Sequence, residues 1–407
     1  MASLKIKHVG PIRQGLPDGE VFQFQGVTVF TGSQGSGKST AAKIFSSLTW
    51  LEKALVRGDI EPSEANNFQY FKTTLMNFHG LAEYFNNHSV VEYQGKRFSF
   101  ILSNLSFEIQ SRKAPADFAS PKIMYVPAER NFLAAIDKPE VISKLPKSLK
   151  DFLAEYLEAK EYFAKHPVQL ELNNTYFSFE EETKRSYVSG DDFKIDLLHA
   201  SSGYQSYIPM FLVTRYLREF VERSEGEKQN EMSVAAERRW LQELSRLLSN
   251  KQMNDKQKID KATELMQRYT YSSFINIVEE PEQNLYPTSQ KQALFGLLSA
   301  SNGRPDNRLL LTTHSPYIIS YLNISLEAAK IYASLNSDKS AIEKKHRVSN
   351  ICPQVSAVNA ERVNTYEFKS DGSVSELGKY DGVLQDANQL NNELDQLNSL
   401  FSDLLEI

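Results

Sequence analysis

Gly32-Ser33-Gln34-Gly35-Ser36-Gly37-Lys38-Ser39, followed by Thr40, decides how the rest of the chain is read. Its spacing fits the phosphate-loop pattern G-x-x-x-x-G-K-[ST]. Val27-Thr28-Val29-Phe30 before it is a β-branched and aromatic run that predicts a buried strand. Behind it, Ala41 to Leu51 carries Ile44, Phe45, Leu48 and Leu51 at helical spacing. The glycines let successive backbone N–H groups curl inward at a phosphate, and the positive end of the helix dipole adds to that field. Lys38 would reach the β and γ phosphates of a bound nucleotide, and the Ser39 hydroxyl would ligate Mg²⁺. Gly32, Gln34, Gly35, Ser36, Gly37 and Thr40 complete the expected phosphate contacts. A chance glycine-rich turn would bring neither the strand nor the helix.

A phosphate loop works with an acidic residue at the end of a neighbouring buried strand. Phe274-Ile275-Asn276-Ile277-Val278 is such a run, and it ends in Glu279-Glu280-Pro281-Glu282. Glu279 is placed to hold Mg²⁺ through its water shell; Glu280, one residue on, is placed to polarise an attacking water. Leu309-Leu310-Leu311-Thr312-Thr313 predicts another strand, ending at His314-Ser315-Pro316. The interval between Glu280 and His314 leaves room for one helix.

His199-Ala200-Ser201-Ser202-Gly203-Tyr204-Gln205-Ser206 precedes an apolar helix containing Ile208, Met210, Phe211, Leu212, Val213 and Leu217. Serine and glycine also make good helix caps, so this turn is weak evidence alone. In order with the phosphate loop, the acidic strand and the histidine strand, it resembles the L-S-G-G-Q signature of the ABC superfamily. Ser202, Gly203 and Gln205 match, Tyr204 replaces the second glycine and Ser201 the leucine. By the same resemblance His314 stands as the switch histidine and Asn284-Leu285-Tyr286-Pro287 as the dimer-contacting D-loop. The implied fold is α/β, an ABC-type P-loop ATPase head with a helical-hairpin insertion and a C-terminal helix. The implied site is shared: the signature turn of one chain caps the γ-phosphate bound by another, through Ser202 and the amide of Gly203. Two ATP molecules would lie sandwiched in a head-to-tail dimer, with Glu280 and His314 catalytic and Ser39 and Glu279 on the metal.

Gln34-Gly35-Ser36-Gly37-Lys38-Ser39-Thr40, Tyr125-Val126-Pro127-Ala128-Glu129-Arg130 and Ala200-Ser201-Ser202-Gly203-Tyr204-Gln205-Ser206 resemble the AAA-family, OLD-like ATPases of bacterial anti-phage defence. The ATPase subunits of PARIS and Septu are examples. The resemblance covers residues 1–50, 120–225 and 270–330. It implies a homo-oligomeric sensor or scaffold that holds a separately encoded effector, a nuclease or toxin, and answers a phage-encoded trigger. OLD nucleases carry a Toprim domain with an Asp-x-Asp pair after the ATPase, and no Asp-x-Asp follows His314 here. Either Glu129 or Arg130 is expected near the γ-phosphate, or in an ion pair that anchors the loop. Arg13 is the candidate adenine contact.

The expected organisation is an ATPase lobe with phosphate loop, β-hairpin insertion and signature over 1–225, a helical hairpin over 226–270, the acidic and histidine strands over 271–330, and a C-terminal extension over 331–407. Phe98 to Leu102 and Leu105 to Ile109 read as paired strands around Ser103-Asn104, and Ile123 to Val126 as a core strand. In the helical hairpin, Trp240, Leu241, Leu244, Leu247 and Leu248 face Ile259, Ala262, Leu265, Met266 and Tyr269, joined over 250–255. Thr365 to Phe368 followed by Ser370 to Ser373 reads as a β-hairpin. Val383, Ala387, Leu390, Leu394, Leu397, Phe401 and Leu404 alternate steps of four and three, a short coiled-coil seam expected to dock on this chain or a neighbouring subunit.

Composition bounds the rest. The 407 residues carry a net charge of −5, which argues against a tail-driven nucleic-acid binder. The hydrophobic content of 41% is ordinary for a packed globular chain. No apolar run approaches the roughly 20 residues of a spanning helix, lysines occupy the place of a signal peptide's apolar run, and the single Cys352 reads as a buried hydrophobe. A cytoplasmic protein is expected. The alternative class is an SMC/RecF-like DNA-repair ATPase, which predicts long heptad arms or a basic inner surface. The sequence shows a short hairpin, with Lys144, Lys147 and Lys150 as a local basic cluster, and direct DNA contact stays open. A transporter subunit is disfavoured by the insertion between signature and acidic strand.

Overall fold

The computed structural model describes residues 2–112, 120–223, 234–250, 252–335 and 341–405; the parts of the expected hairpin at 226–233 and 251 lie outside them. Ala2–Lys7 (β1) and Phe22–Phe24 (β2) pair antiparallel and lead to Val27–Gly32 (β3), every residue of which is buried. The glycine-rich loop carries the chain from β3 into Lys38–Arg57 (α1), which Gly58 stops in the left-handed conformation that suits glycine. Short helices Pro62–Ala65 (α2) and Phe68–Tyr70 (α3) precede the strands Val90–Gln94 (β4), Phe98–Ser103 (β5) and Ser106–Ser111 (β6). The β5–β6 turn is Asn104-Leu105, one residue later than expected, with both residues at positive φ as a two-residue type I′ turn requires.

Lys122–Val126 (β7), Arg130–Ala134 (α4) and Lys147–Tyr162 (α5) follow. Val168–Gln169 (β8), Tyr176–Glu180 (β9), Arg185–Ser189 (β10) and Lys194–Asp196 (β11) then form a separate antiparallel sheet. Next come Ser202–Arg223 (α6), Val234–Ser249 (α7), Asp255–Tyr269 (α8), Phe274–Glu279 (β12), Pro287–Asn302 (α9), Arg308–Thr312 (β13) and Pro316–Leu335 (α10). Ile342–Ile351 (α11), Val363–Phe368 (β14), Val374–Glu376 (β15) and Gln389–Leu405 (α12) complete the order.

The central sheet runs β15-β14-β3-β13-β12-β7, with all strands but β15 parallel. Glu279 stands opposite Thr312, and Thr312 opposite Phe30, so the carboxyl ends of three strands align at one edge. β3 and β12 are buried throughout, as strands covered on both faces must be. Phe30, Ile275, Ile277 and Leu310 pack toward Phe45 and Leu48 of α1 and toward the antiparallel sheet β2-β1-β4-β5-β6. Val27, Val29, Val278 and Leu311 belong to the opposite core, with Leu212 of α6, Leu294 of α9 and Ile318 of α10.

Three expectations need amending. The β14–β15 hairpin forms, with Phe368 opposite Val374, yet β14 also runs parallel beside β3 inside the central sheet. Residues after 330 therefore contribute to the core around the loop as well as extending from it. The seam from Val383 breaks, because Val383 and Leu384 pair as strand and the helix begins at Gln389. Only its root is docked: Leu390 is buried, whereas Leu397, Phe401 and Leu404 are each more than 60% exposed. Lastly, α7 and α8 make the expected hairpin, capped by a reciprocal Asn254–Gln257 capping box. Its stripe is half filled: Leu265 packs with Trp240 and Leu244, while Leu241, Leu248 and Ile259 face outward. The side chains of Tyr269 and Leu394 lie outside the described set.

Candidate nucleotide-binding site

The loop sits where β3 meets α1. Gly32 lies at φ 131°, and a Cβ there would come 2.1 Å from the Phe368 carbonyl oxygen of β14, so no other residue fits. Gly37 lies at φ 109° with Ile12 against it, and it precedes α1 without a side-chain cap. The first amides of α1 are thus left for a ligand. Lys38 is buried and donates to the carbonyls of Gly32 at 2.8 Å and Ser33 at 2.7 Å. Burial lowers its pKa, against the opposing pull of Glu280 and Glu282. The Ser36 hydroxyl donates to Ser33 O at 2.8 Å; Gln34 and Gly35 are exposed, Ser39 half-buried and Thr40 buried. Arg13 is exposed on the turn whose Ile12 meets Gly37, and its amide donates to Gly372 O.

Glu279 ends β12 at 2% exposure. One carboxylate oxygen, Oε2, faces the Ala128 amide at 3.4 Å; the other, Oε1, is buried with no hydrogen-bond partner. Tyr125 lies against this carboxylate, and burial followed by the Glu279 charge pushes its phenol well above the usual range. Glu280 takes a left-handed backbone, φ 44°, while its amide donates to Thr312 O across the parallel ladder. Its carboxylate stands 3.6 Å from His314 Nδ1. Burial raises the Glu280 pKa; Glu282 and Glu279 add to that, while His314 and Lys38 oppose it.

Glu282 has no role assigned from the sequence, and Arg130 takes a role other than the two expected of it. Glu282, buried, accepts the Thr313 hydroxyl at 2.7 Å and the His314 amide at 2.9 Å, fixing the turn that presents His314. Its only trace in sequence is its place in the Glu-Glu-Pro-Glu string. Arg130 is fully buried and donates to the backbone carbonyls of Ser206 (3.0 Å), Pro127 (3.2 Å), Glu279 (2.6 Å) and Glu280 (2.7 Å). It anchors the loop after β7 through carbonyls, where an ion pair or a phosphate contact was expected. Glu129 is exposed. The Pro-Ala-Glu-Arg segment marks Arg130 in the sequence but does not reveal this role, since three of its four acceptors come from two distant segments, α6 and the end of β12.

Ser202 opens α6 and is exposed. Gly203 lies beside Asn284 O, 3.1 Å from where a Cβ would stand, and the Asn284 amide group donates to Ser206 Oγ at 2.9 Å. The signature turn and the D-loop-like turn are therefore packed together in one chain, with Tyr286 projecting at 75% exposure. The Gln205 amide donates to Leu197 O and Leu198 O, so it braces its own turn. Among the described residues, no hydrogen bond joins the turn 199–206 to the loop 32–39. The ends of β3, β12 and β13 thus offer an amide cradle for phosphate, an unsatisfied carboxylate for a cation and a raised carboxyl suited to a general base.

Strand order, glycine-rich loop and acidic strand end define a mixed α/β fold with a phosphate-loop-type turn at the carboxyl edge of a mostly parallel sheet. No family model matches the sequence, and no curated protein matches it. Solved structures that it resembles include an SMC head bound to the C-winged helix domain of ScpA (TM-score 0.38, 10% identity, covering 78% of this chain and 90% of that one). An SMC head from Thermotoga maritima aligns with TM-score 0.34 and 12% identity over 78% of this chain and 90% of its own. A dimeric ATP-binding cassette in a post-hydrolysis state, bound to ADP and phosphate, aligns with TM-score 0.29 and 11% identity, over 93% of this chain and all of that one.

Proposed function

We propose that this protein binds and hydrolyses ATP, and that two copies close head to tail over two nucleotides. The observation that carries the reading is the meeting of Lys38, Glu280 and His314 at adjacent strand ends, while Ser202 stands exposed at the start of a separate helix. Lys38 exchanges its bonds to Gly32 O and Ser33 O for phosphate oxygens. Glu280 takes the proton of the attacking water, and His314, held by Glu282, orients the γ-phosphate. Ser202 and the amide of Gly203, at a helix N-terminus, cap the nucleotide of the partner copy. The orphaned Glu279 Oε1 and the Ser39 hydroxyl fit Mg²⁺, which when bound neutralises charge on the β and γ phosphates.

The closed dimer acts as a regulatory state that a separately encoded effector, a nuclease or toxin, reads during phage infection. The resemblance of the loop, the Pro-Ala-Glu-Arg segment and the signature to defence ATPases supports this. So do the unfilled apolar faces of α7, α8 and α12. A second reading, a DNA-gripping SMC/RecF-like ATPase, draws on Lys144, Lys147 and Lys150, which are all exposed at and before the start of α5. Among the described residues no helix is long and apolar enough to cross a membrane. Glu280→Gln protein, purified with the product of the adjacent gene, separates the two. Co-elution in ATP without DNA retention supports the regulatory reading, whereas salt-sensitive DNA retention without a protein partner supports the second.

A further inference from the structure

We infer that Arg130 is a positioning residue that links the signature helix to the backbone of the acidic pair, so that movement of α6 on closure is passed to the Glu280 carboxylate. This rests on the two-chain reading above.

Three segments meet on one guanidinium: Pro127 after β7, Glu279 and Glu280 at the end of β12, and Ser206 in α6. Ser206 is one turn into α6 from Ser202, so its carbonyl moves with the helix end that would touch the partner's nucleotide. The Glu280 carbonyl is held at 2.7 Å while that residue sits in a left-handed conformation that non-glycine residues avoid. The guanidinium is wholly excluded from water, so a lost acceptor is not replaced by solvent. A displaced α6 must therefore either break a buried charged hydrogen bond or pull the Glu280 backbone with it. The Asn284 bond to the Ser206 hydroxyl ties the D-loop-like turn into the same unit. Arg130 makes no contact with the phosphate loop through these bonds, so its effect falls on turnover and leaves nucleotide affinity alone.

The test uses the full chain with Arg130→Met and Arg130→Lys. Three quantities are read: affinity for a fluorescent ATP analogue, ATP-driven dimerisation in a Glu280→Gln background, and kcat. Misplacing a reacting group by about 1 Å costs on the order of 100-fold, so Arg130→Met should lower kcat by about that factor. Affinity should stay within about threefold and dimerisation should be unchanged. Lysine keeps the charge but has three donors, and should recover kcat to about tenfold below the parent protein. Should Arg130→Met precipitate, the tenfold loss in Arg130→Lys at unchanged affinity carries the inference. Unaltered kcat in the soluble variants overturns it, as does loss of affinity and dimerisation in step with kcat. Failure of the Glu280→Gln protein with native Arg130 to dimerise in ATP refutes the two-chain reading, and this inference with it. Dimerisation with kcat indifferent to Arg130 refutes the inference alone.

Discussion

Lys38 must give up two short hydrogen bonds to loop carbonyls before it meets a phosphate, and a buried ammonium has no water to turn to in between. A phosphate is the natural replacement. Lys38→Ala should weaken ATP binding beyond detection by calorimetry while leaving the melting temperature close to native, because the loop's shape rests on Gly32 and Gly37. A second residue-scale prediction concerns acid. His79 is buried beside Tyr125 with both ring nitrogens unbonded, and burial, aided by Lys43, drives its pKa down to about 3. The unfolded chain binds that proton near pH 6.5, so His79 contributes stability above pH 6.5 that is lost as pH falls toward 3, by up to about 1.4 kcal/mol per unit. His79→Phe should flatten the fall of melting temperature with acidification; an unchanged slope counts against this origin. At this scale the legible residues were those whose meaning is local: the glycines, Lys38, and carboxylates ending an apolar run. Glu282 and Arg130 depend on partners far along the chain, which no local pattern encodes; the Gln205 side chain turns back on Leu197 and Leu198 of its own turn, which its place in the signature pattern does not reveal.

Among the elements, α6 bears the sharpest expectation. Ser202 is exposed at its start and its neighbour Gly203 packs on Asn284, so a large charged side chain at 202 disturbs a surface and not the core. Ser202→Arg should bind ATP as the parent does by calorimetry, yet stay monomeric in ATP by sedimentation. The α7–α8 hairpin is separable from this. Asn254→Ala removes the side-chain arm of the capping box, the bond accepted from the Gln257 amide, and should cost about 1 kcal/mol of local stability, seen as faster amide exchange in α8 with ATP binding unaffected. Apolar periodicity gave both hairpin helices and the strands β3, β7, β12 and β13 their places in advance. It says nothing of the sheet β8–β11: β8 and β11 have only two and three residues, and β9 and β10 are short half-buried alternations without the continuous apolar run that marks a central strand. It also detached β14, whose parallel pairing with β3 is a non-local choice. The coiled-coil spacing overruns the helix because strand and helix happen to continue one spacing across residue 389.

For the whole molecule, the claim is that the catalytic unit is larger than one chain. Under the proposed function ATP would act by its preference for the closed pair, and the open faces of α7, α8 and α12 are the surfaces an effector would read. The open face of α12 shows that a seam found in sequence need not close within its own chain. Mixing two inactive proteins tests the claim most directly. The Lys38→Ala chain lacks a working phosphate loop but keeps its signature turn, and the Ser202→Arg chain has the reverse defect. Each alone should turn over no ATP. Mixed in equal amounts they should regain ATPase activity, because a heterodimer joins the intact loop of one to the intact Ser202 of the other. A mixture as inactive as its components, or full turnover by Ser202→Arg alone, would contradict a site shared between two copies.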